Sequence, residues 1–172
     1  MKHTVKEMKL SEIHFMINYF LQADNDFLAK MGVDPAKLPA FTHWHEILKQ
    51  DFAQPIADRR FFYLIWELDG ILIGHSNINN IVYGKEAFMH LHIWDSTKRQ
   101  AGSGTIFVSE SIKIYFDLFE LSQLYCQPYA HNPAPNKLLE KIGFKLLKTY
   151  ETVPGWINFH QLVNLWVLDN LL

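Results

Sequence analysis

Arg99-Gln100-Ala101-Gly102-Ser103-Gly104 is the stretch on which the reading of this chain turns. It sits between a β-rich segment, 87–94, and a strongly amphipathic one, 105–120. Glycines at 102 and 104 let the backbone turn sharply and leave space for a ligand, so that successive N–H groups converge on an anion. The helix N-terminus that follows adds about half a positive charge. Arg99 supplies a full one, suited to a diphosphate. By itself the same stretch also reads as an ordinary tight turn.

Downstream, Val108, Ile112, Tyr115 and Phe119 recur at helical spacing, with Ser109, Lys113, Asp117 and Glu120 opposite. Residues 121–127 read as a strand stopped by Pro128. Asn132 is placed to cap a helix whose first turn accommodates Pro133 and Pro135, with Leu138, Leu139 and Ile142 facing inward and Gly143 at its C-terminal end. Two strands, 144–151 and 161–168, flank the Pro154-Gly155 turn. Upstream, 61–68 and 71–81 form a hairpin about Asp69-Gly70, and Tyr83-Gly84-Lys85 turns the chain into the strand at 87–94. A short strand at 4–8 comes first, then a helix at 13–21 capped by Ser11, a loop-like 25–39 with a helical turn at Asp34-Pro35, and a helix begun by Thr42 and ended before Pro55. Helices, a meander and then β-α-β-α-β-β predict an α/β fold, a mixed sheet with helices on both faces.

The spacing Arg-x-x-Gly-x-Gly at a strand-to-helix junction resembles the pyrophosphate loop of the GNAT N-acetyltransferases. The later Asn132, Asn136 and Lys141-Ile142-Gly143-Phe144 resemble that family's last helix, which an Asn opens and a Gly-Phe closes. The resemblance is firm over 61–168. It implies the GNAT acyl-CoA N-acyltransferase fold across a single domain, 1–172, and acetyl transfer from acetyl-CoA to a primary amine or hydroxylamine. It also implies roles for individual residues. The backbone of His92, Ile93 and Trp94 flanks the pantetheine arm. Arg99, Gln100, Ala101, Gly102, Ser103, Gly104 and Thr105 hold the pyrophosphate, and Asn132 and Asn136 touch the coenzyme from the other side. Direct transfer needs a neutral amine held against the thioester and preorganised donors for the developing oxyanion.

Many family members carry an acid, a tyrosine, at the position of Leu139. Tyr129, just after Pro128, is the preferred substitute, with His131 behind it. For the base, strand alternation sets His90, His92 and Trp94 on one face, and imidazole titrates near neutrality. His90, Tyr129 and Asn132 are therefore the catalytic candidates; the alternative is that both histidines simply fill a half-buried sheet face. The segment His90-Leu91-His92-Ile93 with Gln127-Pro128 is similar to the branch that acylates hydroxylysine in siderophores. The Leu138-Leu139 helix and final hairpin look like the branch that acetylates ribosomal-protein N-termini. Neither resemblance selects the acceptor, and small-molecule amines, an aminoglycoside included, and peptide amines both stay open.

Composition narrows the classes. Apolar residues make up 49% of the 172 and the formal net charge is −2, which supports a folded core and gives no field to attract nucleic acid or an anionic membrane. No apolar run approaches the ~20 residues of a membrane span. Cys126 is the sole cysteine, as suits a reducing cytoplasm, and in an apolar strand it reads as core. His43-x-His45 lies on a helix where i and i+2 diverge, and His90-x-His92 lacks a third ligand, so no metal is expected. Arg59-Arg60 reads as a solvated pair. Trp156 and His160 either line an acceptor site or pack. The expected assembly is a monomer or homodimer, and the competing functional class is an acyl-CoA-binding module of the same fold without turnover.

Overall fold

The computed structural model describes residues 1–94 and 102–170. Seven strands form one sheet: β1 (His3–Glu7), β2 (Phe61–Leu68), β3 (Ile71–Val82), β4 (Glu86–Ile93), β5 (Gln123–Cys126), β6 (Lys145–Thr152) and β7 (Gln161–Asp169), in the order β1-β2-β3-β4-β5-β7-β6. Among the described residues only the β4–β5 pair is parallel. The helices are α1 (Ile13–Leu21), α2 (Asn25–Lys30), α3 (Phe41–Phe52), α4 (Ser103–Phe119) and α5 (Pro133–Lys141).

Strand alternation divides the core into two layers. Phe62, Leu64, Trp66 and Leu68 of β2 join Ala87 and Met89 of β4 under α4 and α5. Tyr63 and Ile65 turn the other way and pack with Ile13, Met16 and Ile17 of α1, Leu28 of α2, and Trp44 and Leu48 of α3. Two buried polar contacts pin α4 to the sheet. The Trp66 indole donates to Ser111 Oγ at 2.9 Å, and Ser76 Oγ lies 2.7 Å from the Tyr115 hydroxyl. Because a buried hydroxyl left without a partner is costly, these contacts resist sliding of α4 along the sheet.

Several local expectations are corrected. Asn25–Lys30, read as loop, is helical because Asp24 caps it, its carboxylate accepting from the Phe27 N–H at 2.7 Å. Ser11 lies inside a 3-10 turn, Leu10–Glu12, and Thr42 lies inside α3, so neither caps a helix. Arg59 is not solvated. Its guanidinium meets Glu7 at 2.9 Å and donates to the Phe52 and Gln54 carbonyls. Arg60, by contrast, is largely exposed beside the buried Asp51. At the end of α5, Gly143 has φ +98°; its N–H reaches the Glu140 carbonyl and that of Phe144 the Leu139 carbonyl, a Schellman closure.

Candidate active site

The site begins where β4 and β5 part. Their parallel register runs from Glu86–Gln123 to Met89–Cys126 and stops. Past Cys126 the chain keeps following β7: Tyr129 bridges Val163, and the Ala130 N–H donates to the Leu162 carbonyl. Past Met89, β4 keeps following β3, with His92 opposite His75 and Ile93 opposite Gly74. The two banks diverge, and a cavity of about 470 Å³ runs between them and on beneath α1, α2 and α3.

The β4 bank has a free edge. The Trp94 N–H donates to the Ile73 carbonyl at 2.8 Å, so Trp94 faces β3. Antiparallel pairing alternates residue by residue, which turns His92 and His90 toward β3 as well and leaves Leu91 and Ile93 facing the gap. Of the three backbone donors expected here, His92 and Trp94 are therefore directed away, and Ile93 remains. Leu91 was missed, although the hairpin register combined with the two-residue period would have pointed to it.

Gly102 occupies the N-cap of α4 at φ +97°, with nothing within 4 Å of where a Cβ would lie. A Cβ on Gly104 would sit 3.8 Å from both Ile93 Cδ1 and Leu138 Cδ2, so the start of α4 lies against the end of β4 and against α5. The amides of Ser103, Gly104 and Thr105 belong to the first turn, where a helix has no carbonyls of its own to bond. Arg99, Gln100 and Ala101 lie outside the described residues.

On the β5 bank, Tyr129 is half-buried at the cavity wall, its ring edge-on to His131 and Phe159. Asn132 occupies the N-cap position of α5 yet bonds no first-turn N–H. Pro135, at the third position, has none to offer. Its amide is thus released from capping, and Asn132 lines the cavity. Asn136 does a different job from the one expected. Its Nδ2 donates to the Asn132 and Tyr129 carbonyls at 2.7 and 3.1 Å, and its Oδ1 accepts from Asn164 and Trp166, both at 2.9 Å. All four amide positions are committed to holding the Tyr129–Asn132 loop against β7, which leaves none for a coenzyme. Leu139 is fully buried in the core.

The face of the sheet under α1–α3 carries a polar group the sequence showed only in part: His75, Asn77 and Asn79 of β3 beside His90 and His92 of β4. The Trp94 indole donates to His75 Nδ1 at 2.8 Å. Indole only donates, so His75 is neutral with its proton on Nε2. The His75 and His92 rings stack with centroids 5.0 Å apart. Burial lowers His75 well below the usual imidazole range, helped by His92 and His90. It lowers His90 to about 4, and His92 to about 3 with His90 contributing. His90 keeps some accessible surface on the cavity wall, but its Nε2 is shielded and has no partner among the described residues; the same holds for Asn79 Oδ1. This corrects one expectation. An imidazole held near 4 does not titrate near neutrality and is a weak base toward an ammonium. Cys126 is buried, its thiol directed at the Met89 carbonyl and pushed up to about 12 by burial, which makes it an inert core residue. Trp156 lines the cavity, edge-on to Trp44, whereas His160 is exposed.

Residues 9–145 match the family model described as the acetyltransferase (GNAT) domain, which is most of the chain. The chain belongs to the GNAT acetyltransferase family. By that family it is an acetyl-CoA-dependent N-acetyltransferase. Solved structures share the fold of this GNAT chain. Spermidine N-acetyltransferase from Vibrio cholerae, in complex with CoA and spermine, superposes with a TM-score of 0.78 at 18% identity, over 97% of this chain and 95% of that one. A chimera of the Vibrio cholerae enzyme and hSSAT gives 0.77 at 20%, over 98% and 96%. The dodecameric Vibrio cholerae enzyme in an intermediate state gives 0.74 at 16%, over 97% and 93%. No curated protein matches the sequence.

Proposed function

We propose that acetyl-CoA lies in the gap between β4 and β5 and that the acceptor amine reaches it from the cavity under α1–α3. The observation that carries this is the parting of the two strands after Met89 and Cys126, with the start of α4 against the end of β4. The first-turn amides at Ser103, Gly104 and Thr105 bind the diphosphate, with Arg99, Gln100 and Ala101 completing the loop. The free edge at Leu91 and Ile93 lines the pantetheine arm, and a backbone N–H there polarises the thioester carbonyl. Asn132 and Tyr129 close the opposite bank.

In the transfer, the neutral amine nitrogen bonds to the acetyl carbon, the carbon–sulfur bond breaks, the thiolate takes a proton, and the proton the nitrogen gives up passes to solvent water, from which the donor is reprotonated. Tyr129 is the proton donor we assign to the leaving sulfur. His90 and His92, neutral at physiological pH, orient the amine and do not take up its proton. Tyr129→Phe is expected to lower kcat by about 100-fold with acetyl-CoA affinity retained. An unchanged kcat, followed by amine-dependent thiol release, would remove Tyr129 from that role.

A second reading, a binding module without turnover, draws on Leu139, which puts an aliphatic core residue where many relatives carry an acid. It predicts acetyl-CoA binding with no thiol release on any amine. We read residues 1–172 as one domain working as a monomer or homodimer. No helix among the described residues is long and apolar enough to cross a membrane, and the lone cysteine favours a cytoplasmic site.

A further inference from the structure

The walls of the cavity define the acceptor more narrowly than the family does. Beneath α1–α3 they are built from Met16, Phe20, Phe27, Trp44, Leu48 and Trp156. Among the described residues no aspartate or glutamate lines the cavity, and its one formal charge is Lys30, at the exposed end of α2. The histidines are neutral, so they add no charge. Asp51, a buried carboxylate of α3, is turned away to the Arg60 and Phe61 amides at 2.9 and 3.1 Å. The Asn158 and Gln161 amides both donate to the Gly32 carbonyl. On the α1–α3 face of the sheet, two shielded atoms on neighbouring strands, Asn79 Oδ1 and His90 Nε2, have no hydrogen-bond partner among the described residues. His90 is the first residue of β4 past the last pair with β5, so this polar spot borders the gap.

An orphaned carbonyl oxygen calls for a donor, and a neutral imidazole nitrogen completes a site for a single amino group. A second cationic centre on the ligand would be desolvated against aromatic walls with no counter-charge among the described residues and with Lys30 repelling it. We propose that the acceptor is a primary monoamine on an apolar, ring-sized body, its nitrogen held at Asn79 Oδ1 and His90 Nε2 and its body packed on Phe20, Phe27 and Trp44. The proposal rests on the assignment of the β4–β5 gap to acetyl-CoA.

The test uses the whole chain with acetyl-CoA and three acceptors: 2-phenylethylamine, spermidine and kanamycin. Thiol release is followed, and melting temperature is measured with and without acetyl-CoA. We expect kcat/KM for 2-phenylethylamine to exceed that for either polycation by about 100-fold or more. Spermidine or kanamycin used as well or better overturns the proposal, as does an acetyl-CoA-stabilised protein that turns over none of the three. A melting temperature unmoved by acetyl-CoA is the separate failure of the donor assignment. Asn79→Leu should lower kcat/KM for 2-phenylethylamine about tenfold, through KM, while leaving the acetyl-CoA shift and the melting temperature intact. A fall in melting temperature with unchanged KM would make Asn79 a structural residue and overturn its part in the site.

Discussion

Consider His90→Asn and the wild-type chain unfolded by urea at pH 7 and again at pH 5. Burial holds His90 to about 4 and His92 to about 3 in the folded protein. Unfolded, each returns to about 6.5. The folded values are depressed for a base, so between about 6.5 and 4 the unfolded chain binds protons that the folded chain refuses, and stability falls as pH falls. Linkage across that window gives a loss of about 2 kcal/mol per histidine between pH 7 and pH 5, about 4 kcal/mol for the pair. For a domain of this size the same loss lowers Tm by about 8–15 °C. His90→Asn should remove one share, so that its pH 7-to-5 loss is smaller than the wild type's by about 2 kcal/mol. The difference of differences cancels the exposed titrating groups common to both proteins. An equal loss in the two proteins would mean that His90 is protonated in the folded state, and the account of a neutral acceptor cavity would be wrong.

Gly102→Asp with Gly104→Asp should abolish the rise in Tm produced by acetyl-CoA, since it sets two carboxylates where the diphosphate is to bind; a retained rise counts against the assignment. Gly74→Ala should destabilise by about 2 kcal/mol or more in urea, because its Cβ would run into the His92 carbonyl oxygen, a backbone atom that cannot step aside. Asn136→Ala should cost about 3 kcal/mol and lower kcat along with it, having lost the four bonds that hold Tyr129 and Asn132; a stable variant with intact kcat would refute that positioning role. Because the cavity histidines stay neutral, kcat/KM for a primary amine should rise about tenfold per pH unit between pH 6.5 and 9 with the free-amine fraction, and an inflection near 6.5 would reveal a titrating imidazole.

What the sequence disclosed was local. The Asp69-Gly70 hairpin, the stripe Val108, Ile112, Tyr115 and Phe119, and the Gly143 closure each depend on residues a few positions apart, and the structure has them where the pattern predicts. The short helix Asn25–Lys30 escaped because six residues are too few to show a helical period, and only the Asp24 cap marks it. The candidate site was harder. That Leu91 and Ile93, not His92 and Trp94, present the free edge depends on which residues β3 claims, a matter of pairing between strands. Asn136 looked like a ligand residue because its partners Asn164 and Trp166 lie on β7, distant in sequence. The histidines signalled chemistry, but their titration is set by the helices packed over them, which no strand pattern reveals.

The most direct measurement is amide hydrogen exchange across the chain with and without acetyl-CoA. New protection is expected at Leu91, Ile93, Ser103, Gly104 and Thr105, with little change along β1 and β6. Saturating acetyl-CoA that leaves those five amides exchanging as before, or protects only a distant surface, would contradict it.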